Sequence, residues 1–252
     1  MRPRLDAERL PALLCGMIGS TLGWAVVPYQ RCPADLDDLA RALHAVEPDV
    51  RIVPGLSAPG PTGASDVMRG EETQILGWVA MQPERAGGRH LICHPGTHAK
   101  WAIVEDGRLV RFVTAMTGEL FAILRKHSVL RTDDEMGSEP GDPAAFAEGV
   151  RAAGGGDALS SRLFSARGRV VADGKPAGTT ADYLSGLLIG AEVAATPRLL
   201  GAEPGLPVQL IGDLALCGWY QQALALGGVA SSICDGEEAA LAGLLAIHRR
   251  TA

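Results

Sequence analysis

A repeated order of apolar segments constrains this fold more than any other feature of the sequence. The first copy predicts strand, helix, strand and helix at residues 10–14, 35–46, 50–53 and 71–81. The second copy predicts the same order at residues 208–211, 214–226, 229–234 and 237–248. A Gly-Glu-Glu triplet opens the last helix of each copy. Repeated β-α-β-α units favour parallel strands joined by helical crossovers.

The segments before the second copy extend it to a larger unit. Three consecutive strands are predicted at residues 90–93, 100–104 and 109–114. A helix is expected at residues 117–130 with Thr117 as N-cap, and another at residues 180–196, capped by Thr180 and stopped by Pro197. The order β-β-β-α-β-α-β-α is that of a ribonuclease-H-like half of an actin or hexokinase fold. We therefore expect an α/β protein with the duplicated, actin-like ATPase fold.

The two copies also predict the domain organisation. A partial N-terminal domain is expected at residues 1–88 and a C-terminal domain at residues 89–252, with an insertion at about residues 117–178. The first three strands and first helix of the N-terminal domain would have to precede Met1, so that half is expected to be incomplete.

Composition excludes several classes of protein. Lys and Arg number 23 against 29 Asp and Glu, which gives a net charge of −6 and argues against nucleic acid or an anionic membrane as the main partner. No apolar run approaches the ~20 residues of a membrane span, and no secretory signal is recognisable. The five cysteines are scattered, which favours reduced thiols in a cytoplasmic protein over a metal site or disulfides.

A glycine turn between two predicted strands is the first candidate site. Gly96 lets backbone amides approach an anion, Thr97 adds a hydroxyl, and Lys100 adds a positive charge. His98 lies in the same turn. This pattern indicates a phosphate-binding loop, although an ordinary hairpin with a surface lysine would look similar.

An arginine followed by two acids is the second candidate site. Arg69 could bind a substrate carboxylate, and Glu71 or Glu72 could accept a hydroxyl proton during phosphoryl transfer. The alternative is that both acids stabilise the N-terminus of their own helix, as the triplet at Glu237 indicates.

Two further loops follow predicted strands. Residues 15–24 are rich in Gly and hydroxyl side chains and include Gly19, Ser20 and Trp24, whereas Gly212 and Asp213 begin a later helix. Ligands bind at such strand ends in open α/β folds, but a plain strand-to-helix turn at Gly212 is an equal alternative. The sequence contains no G-x-x-x-x-G-K-[ST] loop.

Taken together, these segments resemble the 2-dehydro-3-deoxygalactonokinase family. The resemblance is carried by Arg69-Gly70-Glu71-Glu72, by Pro95-Gly96-Thr97-His98, and by further stretches in the same order at residues 16–20, 23–24, 52–56, 100–101, 116–120, 184–193 and 220–223.

The resemblance implies Mg²⁺-dependent transfer of the ATP γ-phosphoryl group to the 6-hydroxyl of 2-dehydro-3-deoxy-D-galactonate, in galactonate catabolism. It implies that Gly19, Ser20, Trp24 and Arg69 bind the sugar acid, and that Gly96, Thr97, His98, Gly212 and Asp213 bind nucleotide or phosphate. Catalytic roles are expected for Glu71, Glu72 and Lys100. A homodimer is compatible with the sequence.

One departure from the family pattern concerns the beginning of the chain. Such kinases begin with a strand and an Asp-x-Gly-(Ser/Thr) loop, and nothing similar lies before Leu10. The alternatives are therefore a kinase for another 2-keto-3-deoxy sugar acid, or a truncated and inactive remnant that still binds a sugar acid.

Overall fold

The computed structural model describes residues 10–130, 141–154 and 158–251. Parts of the predicted N-terminus and insertion, at residues 1–9, 131–140 and 155–157, lie outside these described residues. Backbone contacts divide the chain into two compact units. The first comprises Met1–Arg89, Ala102–Phe112 and Cys234–Ala252, and the second comprises His90–Trp101 and Val113–Ile233.

The elements follow one another as a mixed α/β chain. Up to residue 80 they are β1 (Ala12–Leu14), β2 (Gln30–Arg31), α1 (Leu36–Arg41), β3 (His44–Glu47), β4 (Val50–Ile52), β5 (Leu56–Pro59), β6 (Ser65–Met68) and α2 (Glu71–Ala80). They continue with β7 (Arg89–His94), β8 (Ala99–Glu105), β9 (Arg108–Ala115), α3 (Thr117–His127), α4 (Pro143–Ala153), α5 (Leu159–Leu163), α6 (Ser165–Val171), α7 (Thr180–Leu199), β10 (Val208–Gly212), α8 (Leu214–Leu226), β11 (Ser231–Asp235) and α9 (Gly236–Arg249).

The strands form three sheets within the described residues. β1 pairs with β4 in parallel, as a helical crossover requires, and β3 runs antiparallel to β4. A small sheet has the order β2-β5-β6. The largest sheet has the order β11-β10-β7-β8-β9, with β10 parallel to β7. This arrangement confirms the three consecutive strands and the parallel pairing expected from the sequence.

Helix packing builds the cores of the two units. In the first unit α2 packs on α9, and Leu76 and Ile247 on these helices are fully buried. In the second unit α4 packs on α7, with Phe146 and Leu187 fully buried. The buried faces fix the N-terminus of α2 and the middle of α7, which carry the candidate sites described below.

Three helix predictions need correction. Only Leu36–Arg41 of the predicted 35–46 helix is helical, because the residues after it pair with β4 as a strand. Thr117 is the first residue of α3, and Met116 is the N-cap. α7 is preceded by Thr179 as N-cap and passes through Pro197 to Leu199, since the Leu200 amide still donates to the Thr196 carbonyl.

No helix in the described ranges has both the length and the apolar character needed to cross a lipid bilayer.

Candidate functional site

A cavity of about 770 Å³ opens in the second unit. Its walls come from the turn between β7 and β8, the N-terminal turns of α3 and α8, and the middle of α7. The lining residues are Gly96, Thr97, Thr117, Gly118, Phe121, Ser185, Leu188, Ile189, Asp213, Ala215, Leu216, Trp219 and Tyr220. Segments that are far apart in sequence therefore meet around one space of the size that binds small ligands.

The N-terminus of α3 packs directly on the predicted phosphate loop. A Cβ added at Gly118 would lie 2.5 Å from the Gly96 oxygen and 2.8 Å from the Thr97 Cα, so only glycine fits. The Glu119 amide donates to the Thr97 carbonyl at 3.0 Å. No side chain caps α3, and the positive end of its dipole lies at the cavity wall. This end of the cavity suits an anion.

A second helix begins at the same cavity. Asp213 is the N-cap of α8, and its side chain accepts a hydrogen bond from the Leu216 amide at 2.8 Å. Asp213 also lines the cavity. Gly212 is not among the lining residues; its Cβ position lies 3.6 Å from the Pro95 oxygen.

Two residues predicted to act at the phosphate loop contact other side chains of the protein. His98 is exposed and its Nε2 lies 2.5 Å from the Glu119 carboxylate. Lys100 is buried and its Nζ donates to the Thr114 hydroxyl at 2.8 Å. Neither is among the residues that line the cavity, and their predicted roles remain predictions.

Other lining residues of the cavity are apolar and aromatic. Phe121, Leu188 and Trp219 are among them, and the Trp219 ring packs on Phe146 with centroids 4.6 Å apart. This packing fixes the indole as a flat surface against which a planar ring can stack. The cavity thus combines an anion-binding end with an aromatic wall.

In the first unit, Arg69 lies against the loop that contains Gly19. Its Nη2 donates to the Val27 carbonyl at 2.6 Å, and its guanidinium stacks on Tyr29 at 4.3 Å. A Cβ on Gly19 would lie 2.9 Å from Nη1, so a larger residue there would displace the guanidinium. Within the described residues, Nε and Nη1 are buried without a hydrogen-bond partner. The structure thus joins two predicted segments around an arginine with donors to spare.

The two acids after Arg69 hold the beginning of α2. Glu71 accepts from the Arg69 amide at 2.9 Å, and Glu72 accepts from the Gly70 amide at 2.7 Å and from the hydroxyl of Thr73 at 2.9 Å. Glu72 is fully buried; burial, and then the neighbouring Glu71 charge, raise its pKa to about 7. The contacts of Glu72 fit the alternative role considered from the sequence, stabilisation of the N-terminus of its own helix. The side chain of Glu71 is only partly buried.

The remaining predicted residues of this loop are at the surface. Trp24 is 48% exposed, and the Ser20 hydroxyl accepts from the Leu22 amide at 3.1 Å. Their predicted roles in substrate binding remain predictions.

The sequence-based search missed several cavity residues. Thr117, Gly118, Ser185, Trp219 and Tyr220 line the cavity but were not singled out as site residues. Except for Trp219, they lie in the stretches that carry the family resemblance, which is the signal that could have indicated them.

No group of three or more His, Cys, Asp or Glu side chains in the described ranges is arranged to hold a metal ion.

Comparison with solved structures gives the class of protein. The chain superposes with a TM-score of 0.85 and 37% identity on a crystal structure of a Sinorhizobium meliloti protein assigned as a 2-dehydro-3-deoxygalactonokinase, over 96% of this chain and 81% of the other. The protein thus has the mixed α/β fold of a sugar kinase.

Sequence comparison then gives the family. The model of the 2-keto-3-deoxy-galactonokinase family matches residues 1–247. A probable 2-dehydro-3-deoxygalactonokinase of Rhizobium meliloti (strain 1021) is 39% identical over 245 residues, covering 95% of this chain and 78% of the relative. The 2-dehydro-3-deoxygalactonokinase of Escherichia coli (strain K12) is 33% identical, covering 97% and 80%. The chain therefore belongs to the 2-keto-3-deoxy-galactonokinase family.

Proposed function

We propose that this protein is a kinase that transfers the γ-phosphoryl group of ATP to the 6-hydroxyl of 2-dehydro-3-deoxygalactonate, a step in galactonate catabolism. The observation that carries the proposal is the family match over residues 1–247, together with two curated relatives that bear this activity in their names. The strand order β9-β8-β7-β10-β11 further supports a ribonuclease-H-like, actin-like ATPase fold.

The cavity of the second unit is the proposed nucleotide site. Its volume of about 770 Å³ lies in the range of small-molecule sites, and its lining offers a helix N-terminus for the phosphates and an aromatic surface for the base. The phosphates would lie at the Gly96 and Thr97 turn beside the N-terminus of α3. The adenine would lie toward the apolar wall formed by Trp219. Mg²⁺ bound to the phosphates supplies neutralisation of charge during transfer.

The first unit is the proposed sugar-acid site. The unpaired donors of Arg69 need an acceptor, and a substrate carboxylate provides one with a charge-assisted hydrogen bond. Glu71 is the better candidate for accepting the hydroxyl proton, because the side chain of Glu72 is fully buried. Ser20 and Trp24 are proposed to complete this site, at the exposed part of the loop.

ADP formation with a panel of sugar acids tests the proposal. The chain is incubated with ATP and Mg²⁺ and with 2-dehydro-3-deoxygalactonate, its gluconate epimer, or no acceptor. ADP formation that depends on 2-dehydro-3-deoxygalactonate is the expected result. A clear preference for the epimer would instead identify a kinase for another 2-keto-3-deoxy acid, and no acceptor-dependent ADP with any acid would contradict kinase activity of this chain.

A further inference from the structure

A buried carboxyl group links three segments at or next to the cavity. Glu192, in the middle of α7, is buried and accepts hydrogen bonds from Trp101 Nε1 at 2.6 Å and from the Tyr220 hydroxyl at 2.9 Å. The Thr117 hydroxyl is a third hydrogen-bond partner of this carboxyl. One carboxyl thus binds side chains from β8, α3 and α8.

These partners belong to the segments that face the ligand. Thr117 and Tyr220 both line the cavity, whereas Glu192 is not among its lining residues. Trp101 follows the phosphate loop on β8 and is itself fully buried. Since Gly118 packs on that loop, a shift of Thr117 would move the loop with it.

A hydrophobic residue would fill this position at lower cost. Burying a carboxyl is unfavourable unless its oxygens are hydrogen-bonded, and here all the partners are neutral. Burial raises the pKa of Glu192, while its hydrogen bonds to Thr117, Trp101 and Tyr220 act in the opposite direction. The network is directional, as packing alone is not, so it can fix the relative orientation of the three segments.

We propose that Glu192 is a positioning residue that holds the phosphate loop, the N-terminus of α3 and the N-terminal half of α8 in the arrangement that binds nucleotide. This inference rests on the proposed function for the identity of the ligand. It adds a residue that does not contact the ligand and that acts through Thr117, Trp101 and Tyr220.

Calorimetric titration with ADP, which needs no sugar acid, tests the inference separately from kinase activity. Glu192→Gln keeps the size of the side chain and one acceptor oxygen but replaces the other oxygen by a donor. The ADP dissociation constant should rise about tenfold or more. In turnover, the KM for ATP should rise while the KM for the sugar acid stays unchanged, which a general loss of stability would not produce.

A second buried acid on the same helix provides the matched control. Asp182 accepts hydrogen bonds from the Gly141 and Asp142 amides and does not line the cavity. Asp182→Asn should lower the melting temperature and leave the ADP dissociation constant unchanged. If Glu192→Gln does not fold, Tyr220→Phe decides, because it removes one hydrogen bond to Glu192 and keeps the ring at the cavity.

The outcomes separate the two proposals. An unchanged ADP dissociation constant in folded Glu192→Gln, or in Tyr220→Phe where the first variant does not fold, would overturn the positioning role. Wild-type protein that binds ADP but does not phosphorylate the sugar acid would contradict the proposed function alone. Wild-type protein that binds no ADP would overturn both the nucleotide site and the role of Glu192.

Discussion

Each of the two units contains a buried glutamate, and the two are held in different ways. Glu72 is hydrogen-bonded by its neighbours in sequence, the Gly70 amide and the Thr73 hydroxyl. Glu192 is hydrogen-bonded by Trp101 and Tyr220, which lie 91 and 28 residues away. The first acid shapes one helix N-terminus, whereas the second ties together segments that meet only in the folded protein.

The candidate sites of the two units differ in the same way. At the Arg69 site, stacking on Tyr29 and one backbone hydrogen bond already occupy part of the guanidinium. The second unit has an open cavity whose walls come from four separate segments. We therefore expect substitutions around Arg69 to weaken binding of the sugar acid through local contacts. Substitutions around the cavity should weaken binding of ATP by changing the arrangement of the segments.

The largest effect is expected where α3 meets the phosphate loop. Gly118→Val would place a side chain against the Gly96 and Thr97 backbone and force the loop to move. A displacement of about 1 Å can cost about 100-fold in rate, so kcat/KM for ATP should fall by about that factor. Gly218→Ala is the control, since its Cβ has open space and should leave turnover unchanged. Equal turnover in both variants would show that the loop tolerates displacement.

Substitution of Arg69, in the first unit, tests the contrast between the two sites. Removing a charged hydrogen-bond donor costs about 1.5–3 kcal/mol, so Arg69→Ala should raise the KM for the sugar acid about 10- to 100-fold and spare that for ATP. Arg85→Ala removes a comparable stacked arginine, over Trp78, outside the candidate site and should leave both constants unchanged. If Arg69→Ala raised the two KM values together, Arg69 would have a structural role.

A smaller effect is expected at Thr97, whose side chain is exposed on the cavity wall. Thr97→Val removes one hydroxyl and should lower kcat about 3- to 10-fold, the worth of a single neutral hydrogen bond, with the melting temperature unchanged. Thr97→Ser restores the hydroxyl and should recover most of the rate. An unfolded Thr97→Val protein would instead make the turn a structural feature.

The smallest effect on turnover, and the clearest on stability, is expected at Glu72. Its pKa is about 7 in the folded protein, above its ordinary value of 4.5, so the folded state binds this proton more tightly. The resulting stabilisation is complete below about pH 4.5 and is lost as the pH rises through 7, by up to about 3 kcal/mol.

The side chain at position 72 is uncharged at every pH in Glu72→Gln. The melting temperature of this variant should therefore fall less than that of wild type between pH 5 and pH 8. Glu238→Gln, at the exposed matching position of α9, should follow the wild-type profile. The same slope in Glu72→Gln and wild type would mean that Glu72 is ionised at low pH in the folded protein.

The elements with strong local signals could be predicted from the sequence. α8 spans Leu214–Leu226 as predicted, because it lies between an N-cap aspartate and a pair of glycines. The short strands β5 and β6 were missed because their polar and apolar residues alternate weakly and β5 contains Pro59. These strands are stabilised by pairing with each other, which the local sequence does not show. Residues 44–46 belong to the predicted helix, but their pairing with β4 overrides the helical periodicity.

The candidate sites also differ in how far the sequence could predict them. The proximity of the Gly19 loop and Arg69 could be anticipated only from the family resemblance, because the strand before Arg69 was itself missed. The buried network around Glu192 could not, because nothing local relates residues 101, 117, 192 and 220 until the chain has folded. Nor could the partners of His98 and Lys100, which are Glu119 and Thr114, be read from the motif that contains these two residues.

Mass analysis of the sugar acid after incubation with ATP and Mg²⁺ tests the central claim most directly. The account predicts that 2-dehydro-3-deoxygalactonate gains one phosphoryl group at its 6-hydroxyl as ADP forms, and that the Gly118→Val variant forms this product about 100-fold more slowly. ATP that binds and is hydrolysed while the sugar acid stays unmodified would contradict it.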